Sequence, residues 1–249
     1  MKDLSFILPI HEYDKNLINN VIDNLAQFEN DVIIVAPQDV CEKIESEYVD
    51  DEGIRFVVND GDTDFCTQVN LGVKNCETSY FTIVEFDDEF YGKWMDNLDV
   101  YSDAIESDAY LTITELMDVD KKIVSLANEL AWSTSVVDDL GYIDADALNN
   151  FYDFSIVGGV FKKDDFIKIG GLKPSLDIAA CYEFLMRFIN NGLKIYVIPK
   201  IGYRHMVGRD GSFIMNSKNR ISQKMGEWLI ETAKEEMKYN EEREITFSE

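Results

Sequence analysis

The strongest constraint in this chain is an alternation. Six apolar, β-rich runs, at residues 4–10, 31–36, 54–58, 80–86, 109–114 and 193–198, are separated by segments with helical periodicity. Runs of this length, rich in Val, Ile, Phe and Tyr, read as strands, and intervening helices supply the long crossovers that parallel strands require. Between the first two runs, Leu17, Val21, Ile22 and Leu25 recur at i, i+4, i+5 and i+8, which sets one apolar stripe on a helix. Residues 67–73 and 182–190 read as further helices, the second stopped by Gly192. The pattern predicts an α/β fold with a mainly parallel sheet flanked by helices.

A chain of 249 residues with 46% hydrophobic content can bury one sizeable core. The expected organisation is one domain over residues 1–211, then an amphipathic helix and acidic tail over residues 212–249. Ile221, Met225, Trp228, Leu229 and Met237 are the expected contacts of that helix. Glu235, Glu236, Glu241, Glu242 and Glu244 charge the tail, which suits a protein assembly contact. No stretch approaches the roughly 18 to 20 uninterrupted apolar residues of a membrane span, and the first residues read as a strand rather than a signal peptide. A cytoplasmic protein with no membrane partner is expected. Cys41, Cys66, Cys76 and Cys181 show no CxxC or zinc-ligand spacing and read as buried thiols.

The formal net charge of −25 repels phosphate backbones, and the most basic stretch, residues 194–209, carries only four basic side chains. Direct nucleic-acid binding is therefore not expected. A nucleotide diphosphate held through a divalent cation is compatible with such a surface, because the metal supplies the positive charge. The acidic run Glu85-Phe86-Asp87-Asp88-Glu89 follows the fourth apolar run. If the strand continues through it, Glu85 and Asp87, two residues apart, share a face at the carboxyl end of the sheet, where α/β ligands bind. Paired carboxylates there suit Mg²⁺ or Mn²⁺, and an acidic surface turn is the alternative. The acids spread over residues 138–146 lack EF-hand spacing and read as a solvated loop.

Several segments occur in a recognisable order. Pro9-Ile10-His11-Glu12 closes the first run, and Asn70-Leu71-Gly72 lies in the helix before the acidic one. Gly158-Gly159-Val160-Phe161 leads to Phe166 and Gly170-Gly171-Leu172, then to a helix containing Glu183 and Arg187, a turn at Gly192 and a strand ending at Pro199. Tyr203-Arg204-His205 follows. Across roughly residues 4–208 this order resembles the family 2 glycosyltransferases, which have the GT-A fold. The resemblance implies a nucleotide-sugar donor, with Pro9, His11, Glu12 and Asn70 on the donor side. Arg209 could meet a phosphate through charge-assisted hydrogen bonds. The resemblance also implies that Glu85, Asp87 and His205 hold Mn²⁺ or Mg²⁺, and that the sugar passes with inversion to an acceptor hydroxyl. The pattern is similar, too, to glycosyltransferase-like proteins of tailed bacteriophages, which implies host cytoplasm, or a virion or assembly role.

Two positions depart from the family pattern. Val35-Ala36-Pro37-Gln38 stands where the family places base-contacting Asp residues, and Pro37 has no backbone N–H to offer. Alignment on Arg187 puts Ala180-Cys181 at the family's Glu-Asp pair, whose Asp is the general base. A thiol of ordinary pKa about 8.5 is a poor replacement among negative charges. Glu183 and Asp177 are the remaining candidates for that role. Two readings therefore stand at this point: a metal-dependent glycosyltransferase, and a GT-A-like scaffold without turnover.

Overall fold

Local chemistry starts the helices where the apolar period begins. The Asp14 carboxylate accepts from the Asn16 and Leu17 N–H groups, Asp64 accepts from Thr67 N–H, and Asp144 from Ala147 N–H, each satisfying donors a helix cannot pair internally. The computed structural model describes residues 3–48 and 51–245. In chain order the elements are β1 (Leu4–Pro9), α1 (Lys15–Ala26), β2 (Val32–Ala36), α2 (Gln38–Glu45), β3 (Ile54–Val58), α3 (Phe65–Asn75), β4 (Tyr80–Ile83) and β5 (Glu89–Phe90). There follow α4 (Trp94–Ala104), β6 (Ala109–Met117), β7 (Ile123–Ala127), α5 (Ala145–Asn150), β8 (Val160–Lys162) and α6 (Lys163–Lys168). The chain continues through α7 (Ala180–Asn190), β9 (Ile195–Met206), α8 (Phe213–Arg220) and α9 (Gln223–Ile245), with short 3-10 turns at Glu129–Trp132 and Pro174–Ala179.

The strands form one curled sheet in the order β3-β2-β1-β4-β8-β6-β9-β5, with β7 paired to the far end of β6. β1 to β4 run parallel, as do β6 and β9, while β5, β7 and β8 are antiparallel. The inner parallel strands β1, β2 and β4 are visible as apolar runs because both their faces are covered, whereas the edge strand β3 is only part-buried. Phe6, Ile7, Leu8, Ile33, Ile34, Phe81, Ile83 and Val160 are all fully buried in the core. Helix α3 lies so close to the sheet that a Cβ on Gly72 would stand 2.5 Å from Ile7 and 2.9 Å from Val35, which accounts for glycine in the Asn-x-Gly segment. Among the described residues no helix is long and apolar enough to cross a membrane.

Three expectations change. The fourth strand ends at Ile83, not 86, so Glu85 and Asp87 lie in a turn and the two-residue rule of a strand does not apply to them. The last strand does not stop near 198; it continues to Met206 and carries Tyr203, Arg204 and His205. It tolerates Pro199 through a register shift, Thr112 pairing with Ile198 and Ile113 with Ile201, a bulge where proline's missing N–H costs no ladder bond.

The carboxyl-terminal segment is two helices, α8 and α9, rather than one. On α9 the packed residues are Gly226, Leu229 and Ala233, and a Cβ on Gly226 would meet Ile178 at 2.9 Å. Met225 and Trp228 face outward, 45% and 59% exposed. Met237 and the acidic side chains beyond it, like residues 246–249, lie outside the described ones.

Candidate functional site

The acidic run leaves β4 as a reverse turn in which the Asp88 N–H donates to the Glu85 carbonyl at 3.1 Å. A turn of this kind brings its first and fourth residues together. It pairs Glu85 with Asp88 and leaves the Asp87 carboxylate to Arg209. β5 then pairs antiparallel with β9, Glu89 opposite Arg204 and Phe90 opposite Tyr203, which carries His205 to the turn. Ligand atoms of Glu85, Asp88 and His205 all lie within 4.8 Å of one another.

Asp88 is the hub. Its Oδ1 accepts from the Met206 N–H at 2.7 Å, and its Oδ2 accepts from the Tyr203 hydroxyl and from His205 Nδ1–H, both at 2.8 Å. The Tyr203 oxygen in turn accepts from the Glu85 N–H at 3.1 Å.

Burial raises the Glu85 carboxyl to about 8; the neighbouring His205 charge pulls the other way, and Asp88 and Asp87 push further up. Burial raises Asp87 as well, Asp88 adding to the rise and Arg209 opposing it. For His205, burial alone would lower the pKa, but the charge and hydrogen bond of Asp88, with Glu85 and Asp87 beyond, override it and hold the imidazole up at about 10.

Asp87 belongs to a second group at the end of β1. Its Oδ2 accepts from Arg209 Nε at 2.6 Å, while Oδ1 is buried and has no hydrogen-bond partner. Arg209 also donates to Glu12 at 3.2 Å, lies 4.9 Å over the Phe86 ring, and has a buried Nη2 with no partner. His11 donates through Nε2 to the Gly211 carbonyl at 2.7 Å and packs on Phe213 and Phe86, leaving Nδ1 unpartnered. Burial is the main cause that lowers the His11 pKa. Pro9 ends β1 opposite Val35 and is buried in the sheet. Thus Pro9, His11, Glu12, Asp87 and Arg209 come together at one strand end, and three orphaned polar atoms there, one acceptor, one donor and one ring nitrogen, form a set of the kind a polar ligand satisfies.

Other predicted residues sit elsewhere. The Asn70 amide is spent on Leu172: Nδ2 donates to its carbonyl at 2.7 Å and Oδ1 accepts from its N–H at 2.9 Å. This clamp holds the Gly170-Gly171-Leu172 turn, where a Cβ on Gly171, at φ 64°, would stand 2.5 Å from the Asn70 oxygen. Glu183 is fully buried and bound on both oxygens, by Arg187 at 2.7 and 2.8 Å and by Lys173 at 2.9 Å. Arg187 also donates to the carbonyls of Ile169 and Gly171, so the group ties α7 to the same turn.

Asp177 occupies φ 46°, ψ −117°, a region that side chains rarely adopt, immediately before α7. Cys181, on the first turn of α7, is near enough to Glu85 for that charge to add to the burial that pushes its thiol up to about 12.

Asp88 and Tyr203 are the residues that sequence reasoning did not assign. The adjacent Asp87-Asp88 pair was visible, but choosing between them required knowing that the strand ends at Ile83.

The donor set fits a hard divalent cation. Two carboxylates and an imidazole converge in a buried site where acids outnumber bases.

No protein-family model matches the chain, and no curated protein matches its sequence. Solved structures do match. S. aureus TarS 1–349 in complex with UDP-GlcNAc aligns over 94% of this chain and 65% of that one, with TM-score 0.67 and 15% identity. The same fragment in complex with UDP aligns over 84% and 61%, with TM-score 0.60 and 16% identity. A longer TarS structure aligns over 83% and 37%, with TM-score 0.60 and 17% identity. The chain spans about two thirds of the TarS 1–349 fragment, and what it shares with these structures is the GT-A-type α/β fold.

Proposed function

We propose that this chain is a glycosyltransferase that takes a sugar from a nucleotide-diphosphate donor and passes it to an acceptor hydroxyl. The observation that carries the reading is the convergence of Glu85, Asp88 and His205 at the carboxyl edge of the sheet, in a fold whose solved neighbour TarS is bound to UDP-GlcNAc. These three residues would hold Mn²⁺ or Mg²⁺, whose contribution when bound is to neutralise the diphosphate as it departs. The unpartnered Arg209 Nη2 supplies a donor, and His11 Nδ1 and Asp87 Oδ1 supply acceptors, suited to the donor's phosphate and hydroxyl groups respectively.

In the transfer, the acceptor oxygen bonds to the anomeric carbon as the carbon–phosphate-oxygen bond breaks, and the bonding pair leaves with the nucleotide diphosphate. With attack from the opposite face the anomeric centre inverts. The acceptor proton goes to a base, and the role falls to Asp177. The support is its strained backbone ahead of α7 and the engagement of both Glu183 oxygens by Arg187 and Lys173. A thiol pushed up to about 12 at Cys181 is almost wholly protonated at neutral pH and takes no proton there.

That same position favours a second reading, a donor-binding scaffold in a larger assembly, virion assemblies included, in which the catalytic base has been lost. Donor hydrolysis decides between them, since it needs no known acceptor. Wild-type protein is incubated with a panel of nucleotide sugars and Mn²⁺ or Mg²⁺, and released nucleotide diphosphate is measured. Metal-dependent release that Asp177→Asn lowers by about 10² to 10⁴ supports the enzyme. Donor binding by calorimetry with no release from any donor supports the scaffold.

A further inference from the structure

We propose that Tyr203 is a positioning residue: its buried hydroxyl locks the Asp88–His205 pair to the Glu85 main chain, and so fixes the geometry of the cation-binding group. The inference rests on the cation reading above only for what the pair finally holds.

The phenol oxygen makes two hydrogen bonds of opposite sense, donating to Asp88 Oδ2 at 2.8 Å and accepting from the Glu85 N–H at 3.1 Å. It therefore ties the first and fourth residues of the acidic turn through one atom. The oxygen it holds on Asp88 is the same oxygen that receives His205 Nδ1–H at 2.8 Å. Tyr203 thus reaches His205 through Asp88, and the imidazole keeps Nε2 for another partner. A carboxylate in this relation to a ligating histidine orients the ring and fixes which nitrogen carries the proton, and loss of such a partner typically costs about 10-fold to 100-fold in metal affinity.

The surroundings leave the phenol one place to be. Tyr203 is fully buried, with Phe90 edge-on at 4.7 Å. Gly158, at φ 72°, also lies against the ring, where a Cβ would stand 2.5 Å from Cγ. The first glycine of the Gly158-Gly159 segment is thereby explained by the space the ring needs. Tyr203 and Gly158 are far apart in sequence and belong to one device.

The test uses the full chain and two readouts. In wild-type protein, ¹⁵N-edited NMR of the two imidazoles, His11 and His205, is expected to show a His205 Nδ1 proton that exchanges slowly with water. Tyr203→Phe keeps the ring and removes the hydroxyl; it should speed that exchange and weaken calorimetric Mn²⁺ binding about tenfold while thermal unfolding stays cooperative. Gly158→Ala keeps the hydroxyl but displaces the ring, and should produce the same two changes.

A wild-type Nδ1 proton in fast exchange overturns the proposal without any variant having to fold. So does a folded Tyr203→Phe protein whose His205 proton and Mn²⁺ affinity match wild type. If the wild type takes up no Mn²⁺ yet shows the slow proton, and Tyr203→Phe loses it, the cation reading fails and the positioning role stands.

Discussion

Asp88 accepts hydrogen bonds from three different groups, whereas its neighbour Asp87 is ion-paired to Arg209, and this difference sets what each carboxylate can do. On the proposed cation reading, Asp88→Asn should lower Mn²⁺ affinity at least tenfold, because it would remove an anionic ligand and leave the His205 imidazole facing an amide. Asp87→Asn should leave most Mn²⁺ affinity in place and weaken nucleotide-diphosphate binding, since it unpairs Arg209. Calorimetric titration of the metal alone, then of UDP with metal present, separates the two; equal losses in both variants would reject the division of labour.

The same residues predict a pH dependence. In chelator, Glu85 and His205 both have folded pKa values above their ordinary ones, at about 8 and about 10. The native state therefore binds more protons than the unfolded chain between roughly pH 4.5 and 10, and stability falls as pH rises through that window. Mn²⁺ must displace those protons, so its affinity should rise over the same interval. Melting temperatures at pH 5, 7 and 9, with and without Mn²⁺, measure both trends.

At the scale of elements, the Gly170-Gly171-Leu172 turn is held by clamps that the sequence showed only as motifs. Glu183, Arg187 and Lys173 join α7 to the turn at Gly170–Gly171, and Asn70 joins α3 to the same turn through Leu172. Glu183→Gln leaves two cations facing a neutral amide in a buried site and should cost about 3 to 5 kcal/mol in urea unfolding. A variant with native stability and reduced transfer would return Glu183 to a catalytic role. Gly72→Ala should cost about 1 to 3 kcal/mol by forcing α3 off Ile7 and Val35. These effects are expected to reach the site only through the position of α3 and α7.

At the scale of the molecule, α9 packs on both α7 and the Pro174–Ala179 turn that holds Asp177, burying Gly226, Leu229 and Ala233, with Ile178 against Gly226. Leu229→Ala should cost about 2 to 4 kcal/mol, the usual range for emptying a buried leucine site. If α9 supports the strained Asp177 backbone, donor hydrolysis should fall in the folded variant while Mn²⁺ affinity stays constant; a fall in both would indicate a general loosening.

Much of this architecture was legible in the chain. The parallel strands announce themselves because burial on both faces demands continuous apolar runs, as in residues 4–10 and 31–36, and the helices between them carry a 3.6-residue period. Glycines 72, 158 and 171 were visible as motif residues, but the atoms that exclude a side chain, on Ile7, Tyr203 and Asn70, come from distant parts of the sequence. Of the short antiparallel strands, β5 was not visible, since two residues carry no period, and β8 was visible only through the family resemblance of the Gly158-Gly159-Val160-Phe161 segment. On them depended the rest: β5 draws β9 to the acidic turn, and the early end of β4 decides that Asp88 rather than Asp87 meets His205. The sequence by itself determined the layers of the fold and the supply of carboxylates, because periodicity and composition are local. Which carboxylate, which tyrosine and which histidine share a site was decided only by tertiary pairing, because hydrogen bonds between residues more than a hundred positions apart leave no mark on either segment alone.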